Sequence, residues 1–267
     1  MTYATIYNVS VIPSVQTEVM RNMPRFFIEN ASGEFITISG QDAAHITKSL
    51  RMKPGETVTV CGGQGVDLLC EITGISEQTV ELRVLDTVPT ESEPSLSITL
   101  YQGLPKGDKL EWIIEKSIEL GVSRIVPVLM QRSVSRPDTK SAAKKHERYN
   151  KLALSAAKQC GRGVIPEVAP MLSFRELLPL LDGHDLVIFF YECGGQPLSE
   201  AIADINRSAW NDVAIVIGPE GGFDLAEAQA LQNGGAFTAT LGKRILRTET
   251  APLAAITALM YGTGNLE

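Results

Sequence analysis

Two stretches decide the fold: "VAIVIGPEGGF" (213–223) and "LGKRILRTETAPLAA" (241–255). In the first, a continuously apolar run ends in Gly-Pro-Glu-Gly-Gly. A strand that is apolar at consecutive positions is covered on both faces, as in a parallel sheet. Asp224 with Glu227 has the form of a capping box that opens a helix. The chain must turn sharply between the two. Gly221 and Gly222 permit positive φ there, while Pro219 fixes its own φ and lacks an N–H. Taken alone, a tight strand-to-helix connection has the edge over a ligand cradle. The turn is no P-loop, because no Lys-Ser/Thr follows it, and it does not read G-x-G-x-x-G. Its place, however, is the carboxyl end of a parallel strand, where α/β sheets hold ligands.

The second stretch sets Lys243, Arg244 and Arg247 within five residues, between a strand and a helix whose cap is Thr248 or Thr250. A solvated turn has no need of Ile245 and Leu246 in its middle. An apolar lining with donors beside it is what a flat heteroaromatic ligand requires.

Working outward, the rest of the C-terminal part alternates strand and helix. Strand "SITLYQG" leads to helix "DKLEWIIEKSIELG", with Leu110, Ile113, Ile114 and Ile118 on one face and Gly121 as its stop. Strand "RIVPVLM" and a helix over about 141–161 follow. Strands "DLVIFFY", "VAIVIG" and "AFTATLG" then alternate with helices near 173–181, 224–233 and 251–261. This pattern predicts an α/β domain built on a parallel sheet. The earlier part reads as β: "RFFIE", "EFITIS", "TVTVC", "VDLLCEITGI" and "TVELRVLD" are short and rich in Val, Ile, Thr and Phe, and only "DAAHITKSLRM" looks helical. That is a small barrel-like module. "CGGQG" (61–65) reads as a hairpin turn. "DTVPTESEPS" (86–95), polar and with two prolines, supplies the linker. The expected division is a loose extension over 1–22, the β module over 23–88, a linker over 89–95 and the α/β domain over 96–267. Residues 1–22 lack the basic start and apolar centre of a secretory signal, and their single Arg is poor for a transit peptide. Met23 is expected to open the folded part.

Composition narrows the function. The chain has 267 residues, 44% apolar and 21% charged, with no apolar run long enough to span a bilayer. The cysteines (Cys61, Cys70, Cys160, Cys193) form no CxxC pair, and His45, His146 and His184 have no metal-ligand spacing. A reduced, cytoplasmic protein without metal is expected. No Ser, His, Asp arrangement suggests a hydrolase. The net charge of −7 argues against nucleic acid until its distribution is read. Residues 132–162 hold nine Lys+Arg against two Asp+Glu. In the helix expected there, Lys144, Arg148, Lys151, Lys158 and Arg162 fall at helical spacings, and Tyr149, Leu152, Ala153, Ala156 and Cys160 form the opposite stripe. A solvated face and a phosphate-backbone contact explain this equally well.

"IGPEGGF" and "LGKRILRTETA", preceded by "LPKGDKLEWIIEKSIELGV", "QRSV" and "AAKQCGR", resemble the bacterial 16S rRNA uracil-N3 methyltransferase family of the SPOUT superfamily. "MPRFFIE" and "HITKSLRMKPGE" resemble its N-terminal PUA-like, RNA-binding barrel. The likeness runs from Met23 nearly to the end. It implies a C-terminal domain with a trefoil knot, a homodimer, and S-adenosyl-L-methionine held by the knot loops. The residues it places at the cofactor are Tyr191 and Glu192, then Gly218, Pro219, Glu220, Gly221 and Gly222, then Leu241, Gly242, Ile245, Leu246 and Arg247, with Ile245 and Leu246 flanking the adenine. Arg247 is the expected catalytic cation, and Glu249 or Glu220 the proton acceptor. The expected RNA contacts are Arg25, His45, Arg51, Lys106, Lys109, Arg132, Lys144, Arg148, Lys151 and Arg162. The expected partner is 16S rRNA or the small ribosomal subunit, with no membrane and no metal. Two alternatives stand beside this: a SPOUT enzyme acting on tRNA or on a ribose 2′-OH, and a non-catalytic RNA-binding protein of ribosome assembly.

Overall fold

A computed structural model of the chain describes residues 23–28, 31–62 and 65–266. The extension expected over 1–22 lies outside the described residues, as do Gly63 and Gln64 of the expected hairpin turn. The described chain divides into two units, the first reaching Glu93 and taking in Gly161–Val164, the second holding the rest.

The first unit holds β1 (Arg25–Phe27), β2 (Phe35–Ser39), α1 (Gly40–Ala44, continued by one π-helical turn over His45–Ser49), β3 (Thr57–Cys61), β4 (Val66–Ile75) and β5 (Thr79–Pro89). Its sheet has the order β1-β3-β4-β5-β2, antiparallel except for the β1–β3 pair. β2 alternates exposed and buried positions, so one face meets solvent. The other face packs Ile38, Val58, Val60, Ile72 and Leu82 against Ala43 and Ile46 of the helical turn. β5 stays paired as far as Pro89, opposite Val66, so the ladder enters the stretch read as linker.

The segment after the long helix gives a correction. Arg162, expected on that helix as an RNA contact, lies beyond the helix end and is only 4% exposed. Its guanidinium donates to the Glu93 carboxylate at 2.7 Å, which also accepts from the Gly163 amide at 2.7 Å and the Val164 amide at 3.1 Å. Burial pushes the Glu93 carboxyl up, but these donors outweigh it and hold it below the usual carboxylate range. Arg162 therefore clamps its own chain.

The second unit contains β6 (Ser97–Gly103), α2 (Lys109–Glu119), β7 (Arg124–Leu129), α3 (Thr139–Cys160), β8 (Glu167–Val168), β9 (Leu172–Ser173), α4 (Phe174–Leu181), β10 (Leu186–Phe190), β11 (Gln196–Pro197), α5 (Leu198–Ser208), β12 (Asp212–Ile217), α6 (Leu225–Asn233), β13 (Phe237–Thr240) and α7 (Ala251–Gly262). The sheet order is β11-β13-β10-β12-β6-β7-β8, with β9 beside β7, and every pair is parallel. β6 and β12 are buried along almost their whole length, as a doubly covered sheet requires. Tyr101, Val126, Phe189 and Val216 share one core with Leu177 of α4, Phe223, and Leu231 of α6. α7 packs against β6, β12 and α2. In α3 the buried stripe is Tyr149, Ala153, Ala156 and Ala157, with Leu152 and Cys160 half-buried. α5 is an addition to the elements read from sequence; its inward residues are Leu198, Ala201 and Ile205. Among the described residues no helix is long and apolar enough to cross a membrane, and no group of three or more His, Cys, Asp or Glu is placed to hold a metal ion.

Candidate active site

β10, β12 and β13 lie near one another and run the same way, so their carboxyl ends open on one side of the sheet. The chain leaving these ends, with Lys109 of α2, encloses a cavity of about 790 Å³. That is the size of a small-molecule or cofactor site. Around it the structure gathers Tyr191 and Glu192, the run Gly218 to Gly222, and Leu241, Gly242, Ile245, Leu246 and Arg247.

Packing and backbone shape fix the first two walls. Phe223 stands edge-on to Phe189, with ring centroids 5.6 Å apart, and to Tyr191 at 6.2 Å, joining the loop after β10 to the loop after β12. The Gly222 amide closes a turn on the Pro219 carbonyl at 2.9 Å. Gly222 has φ of +66°, and a Cβ there would run into the Glu192 carboxylate. The sequence reading gave this freedom to Gly221 as well, but Gly221 is not at positive φ and its added Cβ would meet Arg132, not the cavity. Arg132, expected at the RNA, supports the turn by donating to the Gly221 carbonyl at 3.1 Å. Beneath the turn, a Cβ on Gly103 would lie 2.6 Å from the Pro219 nitrogen, so only glycine lets β6 pass this close. Asp224 and Glu227 form the expected capping box of α6, and Glu227 also accepts from the Gln131 amide at 2.8 Å.

The third wall hangs from Thr248. Its hydroxyl donates to the Gly218 carbonyl at 2.8 Å, and the Gln102 amide donates to the same hydroxyl at 3.1 Å. Neither threonine caps α7 through its side chain: Thr250 is the N-cap residue but makes no such bond, and Thr248 is spent on Gly218. Leu246 is half-buried, whereas Ile245 is 83% exposed on the rim. Lys243, Arg244 and Arg247 are exposed.

An ionic cluster borders the cavity. The Lys109 ammonium lies 2.9 Å from Glu249 and 3.2 Å from Glu220. Partial burial raises the Glu249 carboxyl, but the Lys109 hydrogen bond and nearby positive charge outweigh it and leave it below its ordinary value. The Glu249 hydrogen bond correspondingly lifts the Lys109 ammonium. The Tyr191 phenol is raised, first by a hydrogen bond with Cys193 and then by desolvation.

The expected RNA contacts are scattered by comparison. Arg25 is occupied, donating to Asp67 at 2.7 Å and to the Cys61 sulfur at 2.6 Å. His45 and Arg51 are exposed on the first unit. Lys106 is exposed beside the cavity, its amide donating to Glu220 at 3.2 Å. On α3, Lys144 and Lys151 are exposed, and Arg148 is exposed but paired with Glu111 at 2.6 Å. Sequence reasoning passed over Gln102 and gave Thr248 only a capping role. The available signal for Gln102 was a carboxamide in "SITLYQG", a strand expected to be covered on both faces.

This geometry has close counterparts among known proteins. The family described as RNA methyltransferase domain matches residues 91–260, and the RNA methyltransferase PUA domain matches residues 38–85. The Ribosomal RNA small subunit methyltransferase E of Bacillus subtilis is 36% identical, over 90% of this chain and 97% of its own length. The crystal structure of Ribosomal RNA small subunit methyltransferase E from Neisseria gonorrhoeae bound to S-adenosyl methionine matches with a TM-score of 0.77 at 34% identity, over 90% of this chain and 98% of that one. A Legionella pneumophila protein solved with bound SAM matches with a TM-score of 0.75 at 27% identity, over 90% and 98% of the two chains.

Proposed function

Because the chain belongs to the RNA methyltransferase family and carries that family's PUA domain, we propose that it uses S-adenosylmethionine to methylate N3 of a uridine in 16S rRNA of the small ribosomal subunit. The observation that carries this reading is the cavity walled jointly by the chain after β10, β12 and β13. Relatives of this chain are named for small-subunit rRNA methylation, and a similar structure holds the cofactor.

The residues present fit such a cofactor. Ile217, Leu246 and Ala239 give an apolar lining for a flat base, and the turn at Gly218–Gly222 exposes backbone to it. At Gly222 an added Cβ would run into the carboxylate of Glu192, which also lines the cavity. Glu192 supplies a carboxylate to a ligand that carries positive charge. When bound, S-adenosylmethionine supplies a methyl group on a sulfonium, which moves by in-line displacement.

The chain's own residues must present and activate the base. Neutral uracil holds a proton on N3 and is a poor nucleophile until that proton leaves. Arg247, at the cavity edge and exposed, takes the role of stabilising the negative charge that then develops on the ring. Glu220 and Glu249 are the candidate proton acceptors, and Lys109 keeps Glu249 ionised. The N3 proton passes to the acceptor first; the N3–CH3 bond then forms as the S–CH3 bond breaks, and the sulfur leaves as the neutral thioether. The target base must leave its stack to reach this depth.

The trefoil knot and the homodimer belong to the same proposal, on family resemblance. Support for the knot is the position of β13, which returns between β10 and β11. The RNA is assigned to the exposed cations Lys144, Arg148 and Lys151, to Lys106, and to His45 and Arg51 of the first unit. The test is mass spectrometry of nucleosides from 16S rRNA of a strain lacking the protein. Loss of 3-methyluridine is the expected result. Loss of a 2′-O-methylated nucleoside, or an unchanged profile, overturns it.

A further inference from the structure

We propose that Gln102 is a positioning residue for the cofactor cavity, acting through Thr248 on the Gly218 carbonyl; the inference rests on the cofactor reading above. Gln102 is the penultimate residue of β6, is fully buried and does not line the cavity. Its Nε2 spends its hydrogens on the Gly103 carbonyl at 3.0 Å and the Thr248 hydroxyl at 3.1 Å. An amide nitrogen can only donate, so Thr248 accepts from it and has a single proton left to give. That proton goes to the Gly218 carbonyl at 2.8 Å. The relay thus has one polarity, from β6 through the chain after β13 to the chain after β12.

Its endpoint matters for the cavity wall. The Gly218 carbonyl belongs to the peptide joined to Pro219, the start of the turn that faces the ligand. Pro219 brings no N–H, and Gly103 packs directly beneath it. Holding that carbonyl prevents the peptide from rotating and sets the second wall against the third, without touching the ligand.

A second observation separates this role from packing. The Gln102 Oε1 is buried and has no hydrogen-bond partner among the described residues. A buried acceptor left unpaired costs stability, and a hydrocarbon of the same length would not carry that cost. Core stability alone therefore does not account for a glutamine here; the polarity of its relay does.

The test compares wild type, Gln102→Met, Thr248→Val, Thr248→Ser and the double variant Gln102→Met/Thr248→Val. Each is measured for S-adenosylmethionine affinity by calorimetry and for Tm. Methionine keeps the length of glutamine and donates nothing. The expected result is about tenfold weaker cofactor binding in Gln102→Met and in Thr248→Val, with the Tm of Gln102→Met not lowered. Thr248→Ser retains the hydroxyl and should bind as wild type. The double variant should be no worse than the weaker single, because both break one relay. Wild-type affinity in Gln102→Met, or losses that add fully in the double variant, overturns the relay while the cofactor reading stands. Absence of binding in the wild type overturns the cofactor reading itself. Should Gln102→Met not fold, Gln102→Leu, which also donates nothing, takes its place in the same comparison.

Discussion

The ammonium of Lys109, at the start of α2, lies 2.9 Å from the carboxylate of Glu249, just before α7. Because this contact helps hold Glu249 below its ordinary value, the ionised form persists into more acid solution than it otherwise would. The sign follows directly. A depressed carboxyl contributes above its unperturbed value and loses the contribution as pH falls through the lower, folded value. Lys109→Met removes the partner, so the Glu249 value should rise. The acidic limb of kcat/KM for methyl transfer should move to higher pH, by one unit or less on the order expected for a solvent-accessible pair. An acidic limb at the wild-type position removes Glu249 from the groups that control the rate.

Gly222 and Gly221 are neighbours with opposite expected tolerance. Gly222 needs positive φ and abuts the Glu192 carboxylate, while an added Cβ at Gly221, away from positive φ, would meet the Cβ of Arg132 at 3.0 Å and its backbone carbonyl at 3.3 Å. Gly222→Ala should weaken S-adenosylmethionine binding at least tenfold, about 1.4 kcal/mol. Gly221→Ala should change it by less than threefold. Calorimetry on the two folded variants checks the contrast, and a reversed ranking would move the ligand to the other side of the turn.

The role proposed for Arg247 differs from that of a residue that only holds the cofactor in when it acts. A cation that stabilises charge built only during reaction lowers the barrier more than it tightens binding. Arg247→Ala should lower single-turnover methyl transfer by roughly a hundredfold at saturating cofactor. Its affinity for S-adenosylmethionine should change far less. Arg247→Lys restores the rate if charge alone matters and fails if a planar, two-pronged donor is needed. Equal losses in affinity and rate would transfer the role to Arg244.

The architecture of both units was legible because it rests on local signals. The runs "VAIVIG" and "DLVIFFY" announce a doubly covered parallel sheet, and Asp224 with Glu227 announces the start of α6. α5 was missed because its apolar stripe is only Leu198, Ala201 and Ile205, following the turn-like "GGQP". The residues around the cavity were legible through their motifs, but their supports were not. The Gln102–Thr248–Gly218 relay joins positions brought together only by the order β12-β6 and the return of the chain after β13. Arg162 shows the reverse error: helical spacing placed it on a basic face, whereas the helix ends at Cys160 and the half-buried carboxylate of Glu93 claims it.

That error yields a paired test on the basic segment. Lys144, Arg148 and Lys151 are exposed on α3, and the Glu111 contact of Arg148 lies at the surface, where such pairs contribute little. If these three neutralise phosphates, their triple alanine variant should flatten the salt dependence of RNA binding by about 0.7–0.9 units of log K per log salt for each phosphate no longer neutralised. Cofactor affinity and Tm should stay near wild type. Arg162→Ala should behave in the opposite way. It strips a guanidinium from Glu93, whose side chain is only 20% exposed, and leaves that carboxylate with its two backbone donors. Breaking a pair buried on the Arg162 side in this way costs at most about 3 kcal/mol, so unfolding in urea should shift to a lower midpoint. Glu93 should also titrate nearer its ordinary value, so the loss is largest at neutral pH and shrinks as acid protonates the carboxylate in both proteins. Its salt slope for RNA should match that of the wild type. A flattened slope in Arg162→Ala at unchanged stability would return Arg162 to the RNA face, and an unaltered slope in the triple variant would leave the α3 cations as a solvated surface.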